Sequence, residues 1–280
     1  MPGSRWSDLE RPPLDAQALR RALLAPSGPW TSLEVLATTG STNADLVARA
    51  RAGAPAGAVL VAEEQTAGQG RLDRRWVTPP RAALAVSMLL RPPVPARRWG
   101  WLSLLVGLAA TDAVRRVAEL DAVLKWPNDV LVGERKLAGV LIERVDAPPG
   151  PAAVVGIGLN VSLAEDELPV PEATSLRVAG AEVIDRDPLL RALLRAVAGR
   201  YEAWVGADGD ATACGLRAAY VDRCMTLGRP VTVHLPAGRR EGGVAGSVDE
   251  TGALVVRRDD GTDLTVTAGD VVHVRPGAPD

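Results

Sequence analysis

Residues Ala82 to Leu90 read Ala-Ala-Leu-Ala-Val-Ser-Met-Leu-Leu, nine positions with a single hydroxyl among them. A run that apolar, framed by Arg81 and Arg91, fits a strand buried on both faces or lying on the inner face of a covered sheet. Cover is at hand. Trp101 to Glu119 is the longest helical pattern, with Leu102, Leu105, Val106, Ala109, Ala113 and Val117 on one face and Asp112, Arg115, Arg116 and Glu119 elsewhere, so it should pack across that sheet. Together they predict an α/β (α+β) body in which helices cover the sheet.

Residues 1 to 13 are broken by proline and read as a flexible arm, and Asp15 to Leu24 predicts one short helix ahead of the Pro26-Ser27-Gly28-Pro29 break. Trp30 to Leu36 and Ala58 to Glu63 read as strands; between them Ser41 and Thr42 stand as caps of an Ala-rich helix, Ala44 to Arg51, closed by Gly53. Val123 to Lys125, Val130 to Val132, Lys136 to Glu143 and Ala153 to Val161 read as further strands, with Gly133-Glu134 the clearest hairpin turn. Helices at Pro188 to Trp204 and Ala211 to Arg223 close the body. Beyond Gly228, five short stretches alternate with Gly and Asp turns: Val231 to His234, Gly243 to Ser247, Ala253 to Val256, Asp263 to Val266 and Val271 to Val274. They predict a small β-barrel of about 50 residues, too small to be stable alone and so leaning on the body. The expected division is 1–29 arm and helix, 30–225 main domain, 226–280 barrel.

Several function classes drop out. A net charge of −2 gives no general attraction to polyanions. No apolar run reaches the roughly 18 residues of a membrane span, and the N-terminus lacks a signal peptide's apolar core, so a cytoplasmic location is expected. Cys214 and Cys224 make no CxxC pair and read as incidental reduced thiols; His234 and His273 both fall in the C-terminal strands, which argues against metal or His-base chemistry in the body. Phosphate-loop, nucleophile-elbow and zinc-helix motifs are missing. Gly156-Ile157-Gly158 is a bare GxG, read as close backbone packing in a strand.

Of 32 lysines and arginines only two are lysine, Lys125 and Lys136. Arginine is a planar fork and lysine a compact, rotatable point charge, so a site needing one ammonium in a narrow space cannot accept the exchange that the rest of the chain has accepted. Around these two stand Trp126-Pro127-Asn128-Asp129 and Leu137-Ala138-Gly139, an amide and a carboxylate beside two cations across a hairpin. Buried polar groups in that density are costly unless they serve one another or a ligand. A second polar segment, Gln65-Thr66-Ala67-Gly68-Gln69-Gly70-Arg71, combines glycines that free the backbone with a cation, a pattern suited to an anion. The two segments together suit a site that holds an anionic ligand.

At these residues the chain resembles the biotin protein ligases. The matching stations are Gly40 to Asn43, Glu64 to Trp76 with its Gly-Gln-Gly-Arg centre, Lys125 to Asp129, Lys136 to Gly139 and Gly156 to Asn160, and the C-terminal strands resemble the family's SH3-like domain. Gln69 stands where many relatives have arginine, and Leu72-Asp73 replaces a more basic, glycine-containing continuation. The resemblance implies a catalytic domain similar to class II aminoacyl-tRNA synthetases, a mixed sheet covered by helices. It further implies two reactions: biotin and Mg-ATP give biotinyl-5'-adenylate and pyrophosphate, and a lysine of a biotin carboxyl carrier domain, as in acetyl-CoA carboxylase, then takes the biotinyl group.

On that resemblance Lys136, Arg71 and Asp129 are the catalytic candidates. Lys136 bridges carboxylate and α-phosphate, and Asp129 orients the acceptor lysine. Biotin falls to Ser41, Thr42, Gln65, Gln69, Gly70, Arg71 and Lys136, since the ureido ring offers donors and a carbonyl to hydroxyls and an amide. The nucleotide falls to Arg74, Trp76, Lys125, Asn128 and Asn160, and magnesium, for which no direct motif stands, comes with ATP near Asp129. One rival is a lipoate or octanoate protein ligase, disfavoured by the Lys125 to Asp129 and Lys136 to Gly139 pair together with the C-terminal strands. Another is a biotin-sensing DNA-binding repressor. With 40 residues ahead of Ser41 and room for about one helix, a helix-turn-helix does not fit, and no specific nucleic-acid partner is expected.

Overall fold

Eight residues in a row, Ala83–Leu90, form strand β3, and every one is buried. The expectation of burial on both faces holds because β3 lies third in a seven-stranded sheet with helices on each side. The computed structural model describes residues 10–24, 28–71, 74–235, 239–267 and 270–273; the expectations for 1–9, Leu72, Asp73 and Val274 onward lie outside them.

The body runs α1 (Ala16–Leu23), β1 (Ser32–Leu36), α2 (Thr42–Arg51), β2 (Ala58–Ala62), β3, α3 (Trp101–Ala118), β4 (Ala122–Lys125), β5 (Asp129–Val132), β6 (Arg135–Val145), β7 (Ala152–Asn160), α4 (Arg186–Gly206) and α5 (Leu216–Arg223). The sheet order is β1-β2-β3-β7-β6-β5-β4, with β1 and β2 parallel and the other pairs antiparallel, so the sheet is mixed. Strand alternation divides its side chains. Val59, Val61, Leu84, Val86, Met88, Val155 and Ile157 pack with α1, α3 and α4 in the main core. Leu60, Leu89 and Val154 meet Leu46, Val47 and Ala50 of α2 on the other face.

Local chemistry explains most boundaries. Asp15 caps α1 by accepting from the Ala18 amide, and Ser41 caps α2 by accepting from Ala44. Thr42 is thus the first helical residue rather than a cap. Gly133 has φ +60°, which suits the first central position of the two-residue β5–β6 turn. One expected helix is shorter than its composition suggests: Ala211 to Gly215 forms turns, because Gly215 sits at φ +74° and α5 starts only after it. The described end of the N-terminal arm is also not free. The Leu14 amide donates to Glu63 at 2.7 Å, Arg186 donates to the Pro12 carbonyl at 2.7 Å, and Arg11 pairs with Glu167.

The C-terminal strands β8 (Pro230–His234), β9 (Arg240–Val248), β10 (Leu254–Arg257), β11 (Asp263–Val266) and β12 (Asp270–His273) form an antiparallel sheet in the order β11-β10-β9-β8-β12. Among the described residues β11 and β12 do not pair, so the expected barrel is an open five-stranded sheet there. It leans on the body as expected: Trp101 Nε1 donates to the Glu250 carbonyl and Trp126 Nε1 to the Gly252 carbonyl, each at 3.1 Å. Val233, Val248 and Leu254 join the same core as α3. Among the described residues no helix is long and apolar enough to cross a membrane.

Candidate active site

Where α2 begins, the sheet face beneath it turns to small residues. Ala85 and Ser87 of β3, Gly139 of β6, and Gly156 and Gly158 of β7 floor a cavity whose rim carries Ser41, Thr42, Gln65, Gln69, Gly70, Arg71, Trp76, Asn128 and Lys136. The glycines of the GxG are required by what sits on them. A Cβ on Gly156 would fall 2.2 Å from Asn43 Oδ1, and one on Gly158 would fall 2.4 Å from the Trp76 ring. Close packing is what the GxG predicts, and its purpose is to seat these two pocket side chains.

The inner end of the cavity is a connected set of polar groups. Gln65 Oε1 accepts from the Thr42 amide at 2.8 Å and lies 3.0 Å from Thr42 Oγ1. Ser87 Oγ is 2.7 Å from Thr42 Oγ1 and 2.6 Å from Asn43 Oδ1, and Asn43 Nδ2 donates to Glu143 at 2.9 Å. Asn43, Ser87 and Glu143 were not among the expected site residues. Ser87, the one hydroxyl in the apolar run and now fully buried, was the readable signal.

At the outer end the expected cations converge. Arg71 donates to Asn128 Oδ1 at 2.8 Å, and Asn128 in turn donates to the Val140 carbonyl at 3.0 Å. Lys136 Nζ pairs with Asp129 at 2.6 Å and stands 6.0 Å from the centre of the Trp76 ring. Both partners are partly exposed, so the pair adds under about 1 kcal/mol to stability and its ammonium can change partner cheaply. The indole Nε1 of Trp76 is buried without a partner among the described residues.

A second, wider cavity opens beyond this neck. Gly70, Arg71, Trp76, Asn128 and Lys136 line both, while Arg74, Asp129, Asn160 and Glu172 line only the outer one. Asn160 is nearly fully buried and already donates to the Thr174 carbonyl at 2.9 Å, which leaves its carbonyl and one amide hydrogen. Lys125, expected on the nucleotide side, lines neither cavity. At the end of β4 its charge acts instead on His273, whose pKa is lowered to about 4 by burial first and then by Lys125 and Arg229.

Comparison with known proteins follows the same two-part layout. A family model described as the Biotin/lipoate A/B protein ligase family matches residues 36–160, and one described as the Biotin protein ligase C terminal domain matches residues 226–274. The chain is 44% identical over 273 residues to the biotin--[acetyl-CoA-carboxylase] ligase of Mycobacterium tuberculosis, covering 96% of this chain and 98% of that one. It is 36% identical over 230 residues to the enzyme of the same name from Paracoccus denitrificans, covering 80% and 93%. A solved biotin protein ligase of Aquifex aeolicus, in complex with biotin and ATP, superposes with a TM-score of 0.69 at 27% identity, covering 88% of this chain and all of that one.

Proposed function

We infer, from the premise that this chain belongs to the biotin protein ligase family, that it forms biotinyl-5'-adenylate from biotin and ATP and transfers the biotinyl group to a lysine of a biotin carboxyl carrier domain. The observation that carries this reading is the neck: Arg71 and Lys136 line both the inner and the outer cavity. Two cations therefore stand where a carboxylate from one side must meet a phosphate from the other.

Adenylation brings like charges together, and an ammonium between them offsets their repulsion. One such contact near 4 Å contributes about 4 kcal/mol at an effective dielectric of about 20, close to three decades in rate. Lys136 takes that place, turning from Asp129 to bridge the carboxylate and the α-phosphate. Arg71, held by Asn128, and the Gly70 backbone bind the carboxylate; Arg74 meets the triphosphate, and Trp76 with Asn160 bounds the adenosine. The exchange frees Asp129 for the second reaction, where its carboxylate orients the acceptor amine toward the mixed anhydride.

A magnesium ion bound with the triphosphate would neutralise part of its charge, and Asp129 is the residue here that would help to hold it. Among the described residues no cluster of three His, Cys, Asp or Glu could cage an ion, and an ion held mainly by phosphates with Asp129 in reach fits that donor set. Biotin is favoured over lipoate by the inner end of the pocket. Against a dithiolane Thr42 and Gln65 would gain no partner beyond each other and Ser87, whereas a ureido ring adds one.

Biotin-dependent ATP–pyrophosphate exchange tests the assignment. Lys136→Ala should lose about three decades of exchange with an unchanged melting temperature, and exchange near the wild-type rate in that variant sinks the role. Mass spectrometry of a carrier domain incubated with ATP and either biotin or lipoate should show the biotin adduct alone.

A further inference from the structure

The polar chain at the inner end of the pocket is short of protons, and the shortage fixes its direction. Gln65 Oε1, Thr42 Oγ1, Ser87 Oγ and Asn43 Oδ1 form three successive contacts of 3.0, 2.7 and 2.6 Å. Only the two hydroxyls bring a hydrogen to them. Asn43 cannot turn its amide round to help, because its Nδ2 is committed to the Glu143 carboxylate at 2.9 Å, and an ionised carboxylate only accepts.

The far end therefore dictates the rest. Asn43 Oδ1 faces Ser87 and takes the Ser87 proton across the shortest contact. Ser87 Oγ then offers Thr42 only lone pairs, and the single Thr42 proton has two acceptors in reach, Ser87 Oγ at 2.7 Å and Gln65 Oε1 at 3.0 Å; placed in the shorter contact, it leaves the Thr42 and Gln65 oxygens facing each other with lone pairs alone. Two oxygens so placed need a donor. Thr42, Ser87 and Asn43 are all nearly fully buried, so free water is a poor substitute. Glu143 lines neither cavity of the site.

We propose that Glu143 is a positioning residue that polarises this chain, so that Thr42 and Gln65 present acceptors to a ring N–H of the bound acid. This rests on the biotin reading, in which the donor is a ureido N–H. The sulfur ring and valeryl tail play no part in it. Substituting Glu143→Gln supplies a donor to Asn43, lets its amide turn, and frees the chain to run either way.

The experiment is pyrophosphate exchange with biotin and with biotin methylated on a ring nitrogen. Wild type should prefer biotin by at least about tenfold, the worth of one buried hydrogen bond. In Glu143→Gln the biotin KM should rise about tenfold, with kcat and the ATP KM within about threefold, and the preference over the methylated analogue should collapse. An unchanged biotin KM and an unchanged preference overturn the proposal. Ser87→Ala breaks the middle of the chain and leaves Glu143 in place, so it should lose the same preference; a full preference there overturns the proposal even if Glu143→Gln does not fold. Wild type with no biotin-dependent exchange at all sinks the biotin reading itself, and this inference with it.

Discussion

Gly156→Ala adds one methyl group to a site that has no room for it. The new Cβ would stand 2.2 Å from Asn43 Oδ1 and 2.9 Å from its Cγ, on a strand paired on both sides with β3 and β6. Backbone held by two ladders cannot retreat, so Asn43 must swing away. It then gives up its bond to Ser87, worth about 1 kcal/mol, and its charge-assisted bond to Glu143, worth about 1.5–3 kcal/mol. Overpacking adds about 1 kcal/mol more. A loss of about 4 kcal/mol, scaled by the usual unfolding entropy of a chain this long, lowers the melting temperature by about 7 °C, and the biotin KM rises because Asn43 no longer orders Ser87 and Thr42. Calorimetry and exchange kinetics measure the two effects. Asn43→Ala supplies the decisive comparison, since it vacates the space the methyl needs. The double variant should melt within about 2 °C of Asn43→Ala alone. Additive losses in the pair would refute the clash as the cause. Gly199→Ala in α4 is the control: nothing lies within 4 Å of its Cβ, and it should gain up to about 1 kcal/mol from helix propensity.

Two further outcomes follow from groups away from the pocket. Arg186 and Glu63 form a buried ion pair with side chains 5% and 9% exposed, so Arg186→Met, which strands the carboxylate, should cost about 3–5 kcal/mol and 5–8 °C in a thermal melt; a shift under about 2 °C would show that water reaches Glu63. His273, with its pKa lowered to about 4, stays neutral in the folded chain while the unfolded chain takes up a proton below about 6.5. Its contribution to stability is complete above about 6.5 and is lost as the pH falls toward 4. His273→Gln should therefore flatten the stability profile in that window, and a profile identical to wild type there contradicts the burial of the ring.

Much of this layout is legible in the amino-acid sequence, for reasons that differ by element. The apolar run from Ala82 and the amphipathic stretch from Trp101 report their own burial, because nothing but a covered sheet accepts them. Asp15 and Ser41 report helix starts because capping is a local event. The failures are equally physical. Ala211 to Gly215 has helical composition, and a single left-handed glycine ends that possibility. Asn43 and Glu143 are a hundred residues apart and meet only because α2 crosses β6. No spacing rule could pair them.

The two lysines show how far a residue-type argument reaches. At Lys136 the lysine kept among arginines does stand in the wall of both cavities, paired with Asp129. Lys125 stands outside both cavities, and nothing in the structure explains why arginine would not serve there. Between them, Trp126 has the opposite character to its polar neighbours. It is 2% exposed, its amide donates to Thr226 at 3.0 Å, and its indole reaches the Gly252 carbonyl of the C-terminal sheet. Ser103 of α3 holds the next residue by donating to the Pro127 carbonyl at 3.1 Å. The segment is thus clamped from the body and from the second sheet just before Asn128 and Asp129 turn toward the neck. Holding Asn128 fixes Arg71, and holding Asp129 fixes the resting place of Lys136. The C-terminal sheet therefore bears on the neck without lining either cavity: through Trp126 it is part of what holds Asn128 and Asp129, and with them Arg71 and Lys136, at one point.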